Sequence, residues 1–223
     1  MSLTLSPPWL CFDLGARHRV LSWAPYRPGF VSAEQILWRE VRNADLPEDL
    51  DAHAWLAGEV AALEGPEAVC FLTSRDIRAH HHRRIRVGGA EAEVVATVGL
   101  SNAERVGTRL DRSGTDWGTI NVAVRLGGAF SDVALLEAMS IATQARTAAV
   151  MDHGAKLPTG IATGTGTDCV AVAARPGENA DAGAYAGLHT EVGEAVGRAT
   201  YDAVLAGAAE WQAYWQAHGR GFF

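Results

Sequence analysis

Residues 159–168 read Thr-Gly-Ile-Ala-Thr-Gly-Thr-Gly-Thr-Asp, between a long helical pattern and the apolar, strand-like run Cys169-Val-Ala-Val-Ala-Ala174. The chain must turn from helix to strand across these residues. Glycines there admit φ > 0 and close backbone approach at little steric cost. The alternation leaves N–H groups unshielded, adds short hydroxyls and ends in one carboxylate, Asp168, at the loop–strand junction. Such a loop suits the holding of a polar or anionic group, although Gly and Thr also mark plain tight turns. It is not a nucleotide-binding P-loop, whose Gly-Lys-Ser/Thr ending brings a lysine to the phosphates. Here Asp168 follows Thr167, and the chain's one lysine, Lys156, precedes the loop.

The 223 residues carry no internal repeat, low-complexity tract or long linker. They are read as a single domain over 1–223, long enough to bury a full core. A formal charge of −7 argues against nucleic acid as the main partner. The one basic cluster, Arg75 to Arg86 with His80, His81 and His82, has no interleaved aromatics for stacking single strands. It reads as a solvated loop and strand edge, where charge blocks edge-to-edge pairing. No apolar run reaches the length of a membrane helix, and the N-terminus lacks the pattern of a signal peptide. Cys11, Cys70 and Cys169 are widely spaced, each in an apolar run, and read as reduced thiols in a cytoplasmic protein. No metal-ligand spacing is present, and three adjacent histidines on a strand alternate sides, so no metal and no cofactor are expected.

Leu10–Leu14 and Arg19–Trp23 flank Gly15-Ala16 and suggest a hairpin. Further strands are expected at 36–41, 69–72, 84–87, 93–98, 119–124 and 169–174. Pro47 is placed to start a helix running to about Leu63. Ser131-Asp132 caps a second helix, whose stripe is read as Val133, Leu136, Ser140, Ile141, Ala145 and Ala148. A third helix spans about Glu191 to His218, with Val192, Val196, Ala199, Val204, Ala208, Trp211 and Trp215 inward. Strands mixed with helices in no strict alternation predict an α+β fold, a mixed and largely antiparallel sheet packed by about three helices.

Four clusters of small polar residues fall at the ends of these elements. They are Val98-Gly-Leu-Ser-Asn-Ala-Glu-Arg-Val-Gly107, Trp117-Gly-Thr-Ile-Asn121, the Gly/Thr loop with Asp168, and Tyr185-Ala-Gly-Leu-His-Thr-Glu-Val-Gly-Glu194. In this order and spacing the chain resembles the adenosylcobinamide amidohydrolase (CbiZ-type) family over about Val94 to Ala206. The resemblance implies hydrolysis of the amide joining cobyric acid to aminopropanol, giving adenosylcobyric acid for corrinoid salvage and adenosylcobalamin synthesis. Two positions depart from the family pattern. Gln144-Ala145-Arg146 stands where Glu-Ala-Lys is expected, and Pro28-Gly29-Phe30 where a Gly-Gly pair is expected.

The residue types suit that chemistry. A corrinoid rim of neutral amides is met by groups that both donate and accept, and its macrocycle by apolar and aromatic walls. Amide hydrolysis needs an activated nucleophile, a stabilised oxyanion and a protonated leaving amine. Asp168 and His189 are the candidate acid–base groups, and Thr165 a candidate nucleophile. Gly164 and Gly166 supply oxyanion N–H groups. Ser101, Asn102, Arg105, Trp117, Asn121, Thr163, Thr167 and Glu194 are candidate substrate-binding residues. Each also has a plainer reading. His189 with Glu191 and Glu194 suits a helix N-terminus, Ser101 and Asn102 suit a short cap, and Arg105 a surface ion pair. Cleavage of the chain before a threonine, which would free an amine as base, predicts fragments instead of one 23.7 kDa species. The partner expected is a small-molecule corrinoid, and a homo-oligomer is compatible with the chain. The alternative function is a corrinoid-binding or carrier protein without turnover.

Overall fold

The computed structural model describes residues 2–42, 45–47, 49–63, 67–111, 118–177 and 183–218. Its fold is α+β. Strands β1 (Leu3–Ser6), β2 (Trp9–Ser22), β3 (Gly29–Glu40), β4 (Ala68–Thr73), β5 (His80–Val87), β6 (Ala90–Val98), β8 (Ile120–Phe130) and β12 (Cys169–Pro176) form one eight-stranded sheet. The order is β4-β3-β2-β12-β8-β6-β5, with β1 also paired to β2. Two pairs are parallel, β3 with β4 and β8 with β12; the remainder are antiparallel. Each parallel pair is joined through a helix, α1 (Ala52–Ala61) for the first and α2 (Asp132–His153) for the second. The short strands β7 (Ala103–Glu104), β9 (Lys156–Leu157), β10 (Gly160–Ile161) and β11 (Gly164–Thr165) form two small ladders, and α3 (Glu191–His218) closes the described chain.

Strand parity divides the core. On β8, Ile120, Val122, Val124 and Leu126 meet the cluster shared with α2 and α3, whereas Ala123 joins an inner cluster with Phe12, Trp38, Phe71, Val95 and Ala171. A strand buried on both faces reads as a near-continuous apolar run, as β8 and β12 do. The sheet curls: the Asn121 Nδ2 on β8 donates to the Leu72 carbonyl on β4 (2.8 Å), although three strands lie between them in the hydrogen-bonded order. Trp38 and Phe71 fill the concave side edge to face, with ring centroids 5.1 Å apart. Each such side chain contributes roughly 1.5–3 kcal/mol when buried.

Three sequence expectations are corrected. No hairpin forms at Gly15-Ala16. β2 continues through it, pairing with β3 at Asp13↔Gln35 and again at His18↔Ala33, so residues 14–17 bulge outward and the strand resumes its direction. Gly15 has φ +80, and its N–H donates to Asp13 Oδ1 (2.8 Å). Helix α1 begins at Ala52 and not at Pro47, because Asp51 Oδ1 accepts from His53 and Ala54 N–H and sets the N-cap there. On α2 the buried stripe is Ala134, Leu135, Ala138, Met139, Ile141, Ala142, Ala149 and Val150. Val133 and Leu136 are 52% and 53% exposed, so the inward face is turned by about one residue from the expected one. On α3 the inward positions Val192, Val196, Ala199, Val204 and Ala208 agree with the expectation.

The basic cluster meets acids. β5 is the sheet's edge strand; Arg84 and His82 reach Glu93, Arg86 reaches Glu91, and His81 and Arg75 reach Glu210. Inside the curl, Arg125 holds Glu93 at 2.6 Å. Glu93 therefore keeps its carboxyl below the ordinary range despite burial, through Arg125, His82 and Arg84.

His18, on the inward parity of β2, is 3% exposed. Burial first, then the charges of Arg125 and Arg175, lower its pKa. The folded protein keeps this imidazole neutral where the unfolded chain takes up a proton. Stability is therefore full above the ordinary histidine value of about 6.5 and falls as pH drops below it toward the lowered folded value. The urea midpoint is expected to fall between pH 7.5 and pH 5.5. His18→Gln should flatten that slope without abolishing it, since His81 and His153 are shifted in the same direction, chiefly by burial. An unchanged slope would exclude His18 as a source.

Candidate active site

Three of the four polar clusters fold into one another at the end of the sheet where β8 and β12 begin. Strand β11 pairs with β7, and Thr163 N–H donates to Glu104 O (2.8 Å). Thr163 Oγ1 accepts from Val106 N–H (2.8 Å), closing the loop after β7. Gly118 packs against Ser101 and Asn102: a Cβ at 118 would stand 2.5 Å from Ser101 Oγ and 2.8 Å from its backbone nitrogen. Asn102 Nδ2 donates to Thr167 Oγ1 (3.3 Å), which donates to Gly118 O (2.8 Å). Thr119 Oγ1 donates to Thr167 O (2.8 Å). Arg105 is tied to the Ile161 carbonyl (3.0 Å), and Gly166 N–H reaches Asn102 O at 3.4 Å.

Asp168 locks this arrangement to the sheet and to α2. Its carboxylate accepts from Thr165 N–H (2.9 Å), Ile120 N–H (3.1 Å) and the Thr165 hydroxyl, and pairs with Arg146. The two charged side chains are 7% and 12% exposed. Burial pushes the Arg146 pKa down, and the adjacent carboxylate supplies the counter-charge. The pair leaves no room for a side chain at position 164, where a Cβ would collide with both Arg146 and Asp168. Four donors on two oxygens make Asp168 an organising acceptor for the loop. Its own carbonyl accepts from Trp23 Nε1 (2.6 Å), joining the loop to the end of β2.

Thr167 and Cys169, the neighbours of Asp168, line a cavity of about 470 Å³. The carboxylate itself is paired to α2, and neither Asp168 nor Arg146 lines the cavity. The cavity walls are mainly apolar and aromatic, with Trp23, Pro25, Val41, Leu46 and Leu72 contributing. Gly118, Thr119, Thr73, Ser74, Arg42 and His53 are also present. Burial raises the Cys169 thiol to about 11, which keeps it protonated near neutrality. None of the wall from the N-terminal third carries a recognisable motif; the end of β2, the segment after β3, the first turn of α1 and the end of β4 bring it here.

The expected site residues therefore separate. Ser101, Asn102, Arg105, Asn121, Thr163, Gly164, Thr165, Gly166, Thr167 and Asp168 share one end of the sheet. His189 and Glu194 do not join them. Glu191, two residues after His189, accepts from Gly89 N–H in the β5–β6 turn (2.9 Å). Strand β6 runs from that turn to Val98, which pairs with Ile120 beside Asp168. The nine residues of β6 span about 30 Å at about 3.3 Å each, so His189 lies far from Asp168 along the sheet. It is exposed in the turn before α3, and Glu194 is engaged with Arg198. Trp117 lies outside the described residues. Gln144 is exposed and donates to Ser140 Oγ (3.0 Å), so this departure falls on the outer face of α2. Its neighbour Arg146 is the residue turned inward. His80, His81 and His82 bond to Ile77 O, Glu210 and Glu93 and do not line the cavity.

Fold and site together describe an α+β protein with a loop-walled cavity at one end of a curled sheet. The chain belongs to the adenosylcobinamide amidohydrolase family, whose model matches residues 2–215, a span that takes in the N-terminal third as well as the motifs. No curated protein matches it. Among solved structures, the PH0078 protein from Pyrococcus horikoshii OT3 is similar at 8% identity and a TM-score of 0.42, over 89% of this chain and 76% of that one. Such a likeness carries no functional argument. Among the described residues there is no helix long and apolar enough to cross a membrane, and no group of acidic, histidine or cysteine side chains suited to hold a metal.

Gly118→Ala tests the interlock. The added methyl must displace Ser101 or Asn102 backbone and side chain, an overpacking penalty of about 1–3 kcal/mol. The expected result is a lower thermal midpoint together with weakened ligand binding at the cavity. An alanine protein with the midpoint of the parent would show that the two motifs tolerate separation.

Proposed function

We propose that this protein hydrolyses the amide between cobyric acid and aminopropanol in adenosylcobinamide, releasing adenosylcobyric acid. Family membership supplies the activity class. The observation that carries the particular reaction is the cavity walled by Gly118, Thr119 and Thr167 and backed by the loop that Asp168 organises. A volume of about 470 Å³ is smaller than a whole corrinoid, so it suits one edge of the macrocycle with the arm bearing the scissile amide. Apolar walls suit the ring edge, while hydroxyls and backbone groups suit the neutral amides of the rim. The cationic cobalt centre meets a chain of formal charge −7.

In this reading the residues divide the work. Asp168 and Arg146 hold the Gly164–Thr167 backbone in one shape, so that its N–H groups are preset for the oxyanion. Gly166 and Thr167, whose N–H groups are engaged only at 3.4 and 3.5 Å, are the loosest of them. Thr165, whose hydroxyl donates to Asp168, is oriented as nucleophile or as positioner of the attacking water. Ser101, Asn102 and Asn121 keep the loop and strand ends in register for the substrate amides. The saturation of Asp168 by four donors favours a second reading, a corrinoid-binding protein without turnover.

Incubation with adenosylcobinamide separates these readings. Adenosylcobyric acid and free aminopropanol, detected by mass spectrometry, are expected; tight binding with no product would select the binding protein. Asp168→Asn keeps the shape but weakens the hold on Arg146 and on the Thr165 backbone. It is expected to lower kcat by about 10²–10³-fold, the range for a displaced oxyanion donor. Parental turnover in a folded Asp168→Asn protein would remove Asp168 from the mechanism.

A further inference from the structure

Hydrolysis of an amide requires a group that gains and loses a proton near neutrality, because an amide anion leaves poorly. The end of the sheet that carries Asp168 lacks such a group among the motif residues. Asp168 is committed to four donors, and His189 lies near the opposite end, beside the β5–β6 turn. Around the cavity the ionisable side chains are Arg42 after β3, Cys169 on β12 and His53 on α1. A guanidinium stays charged throughout, and the Cys169 thiol is raised to about 11. Of these, the imidazole is the group that can both accept a proton and return it in acid–base catalysis.

The His53 ring is held in a definite state. Its backbone N–H is capped by Asp51 (3.1 Å) in the first turn of α1, and its Nδ1 lies 3.1 Å from the Pro25 carbonyl across the cavity wall. A carbonyl only accepts, so Nδ1 carries the proton of this contact. In the neutral ring Nε2 is then the lone-pair nitrogen. Nε2 has no partner in the described structure, and it is the ring atom available to a molecule in the cavity. This is the arrangement of a base oriented by a backbone acceptor. The same cavity is lined by Gly118, Thr119 and Thr167.

We infer that His53 is the proton-transfer residue of this cavity, a conclusion that rests on the hydrolytic reading above. Its Nε2 takes a proton from water as the oxygen bonds to the amide carbon. The resulting imidazolium returns that proton to the nitrogen as the carbon–nitrogen bond breaks. Acid and amine result, with no net change at His53.

The test compares the parent with His53→Ala and His53→Gln on adenosylcobinamide, following adenosylcobyric acid against pH. The ring is exposed, so both variants are expected to fold, which circular dichroism checks. In the parent, kcat/KM should decline as pH falls, since the neutral ring is the acting form. Both variants should lose about 10²–10⁴-fold in kcat and that acid limb, and added imidazole should restore part of the rate to His53→Ala. Three results overturn the inference: variant rates within a few-fold of the parent, a lowered rate with the acid limb intact and no imidazole rescue, or a nitrogen-ligated corrinoid spectrum that disappears with His53. The last would mean that Nε2 is spent on cobalt. A parent that makes no adenosylcobyric acid refutes the hydrolytic reading itself, and the inference with it. An active parent beside fully active variants refutes the inference alone.

Discussion

A buried carboxylate must be matched by donors or it destabilises the fold by several kcal/mol, and Asp168 meets that requirement from three elements at once. It takes two donors from its own loop, one from the start of β8 and the charge of Arg146 on α2. The segment 163–168 therefore cannot change shape without exposing or orphaning a charge. Everything packed on that segment inherits its fixity: the β7–β11 ladder, the Asn102–Thr167–Gly118 relay and the Trp23 contact in the cavity wall. Gly164 is where the constraint is tightest, since any side chain there would wedge the ion pair apart.

The curl of the sheet gives that anchor its setting. Apolar side chains fill the middle of the concave face, and polar groups gather toward its two ends. At one end Glu93 and Arg125 neutralise each other in the company of His82 and Arg84. At the other, Asn121 bridges to the far strand β4. The first end is closed by charge pairing. The second is left with a cavity, because the elements that would otherwise cover it are the short segment after β3 and the first turn of α1. Pairing of β12 with both β2 and β8 brings the N-terminal strands against the motif-bearing ones. This explains why most of the cavity wall comes from residues with no signature of their own.

Arg146 and His53 show two ways in which sequence reading loses a residue. The substitution pattern Gln144-Ala145-Arg146 draws the eye to a missing acid, yet position 144 faces outward and position 146 faces the loop. A helical rotation of 100° per residue decides between them, and that rotation follows from packing on the sheet. The same rotation accounts for the shifted stripe of α2, where Ala134, Leu135, Ala138 and Met139 turn inward and Val133 and Leu136 do not. His53 follows an ordinary helix cap and is two residues from it, so in sequence it looks like any exposed first-turn residue.

The chain by itself determined the α+β class, the position of most strands and of two long helices, the inward stripe of α3, and the family to which its clustered motifs belong. These are local or periodic properties, written in alternation, in glycine placement and in caps such as Ser131. The bulge that turns an apparent hairpin at Gly15 into one continuous strand was decided by pairing with β3 on one side and β12 on the other. The separation of His189 from Asp168 was likewise decided by the length of β6, across which no local pattern reports. Which face of the Gly/Thr loop holds a charge and which faces a cavity emerged only when β2, β4, α1 and α2 closed around it. Contacts between residues tens of positions apart, and 145 apart for Trp23 and Asp168, carry no trace in their own neighbourhoods, and those contacts make the site.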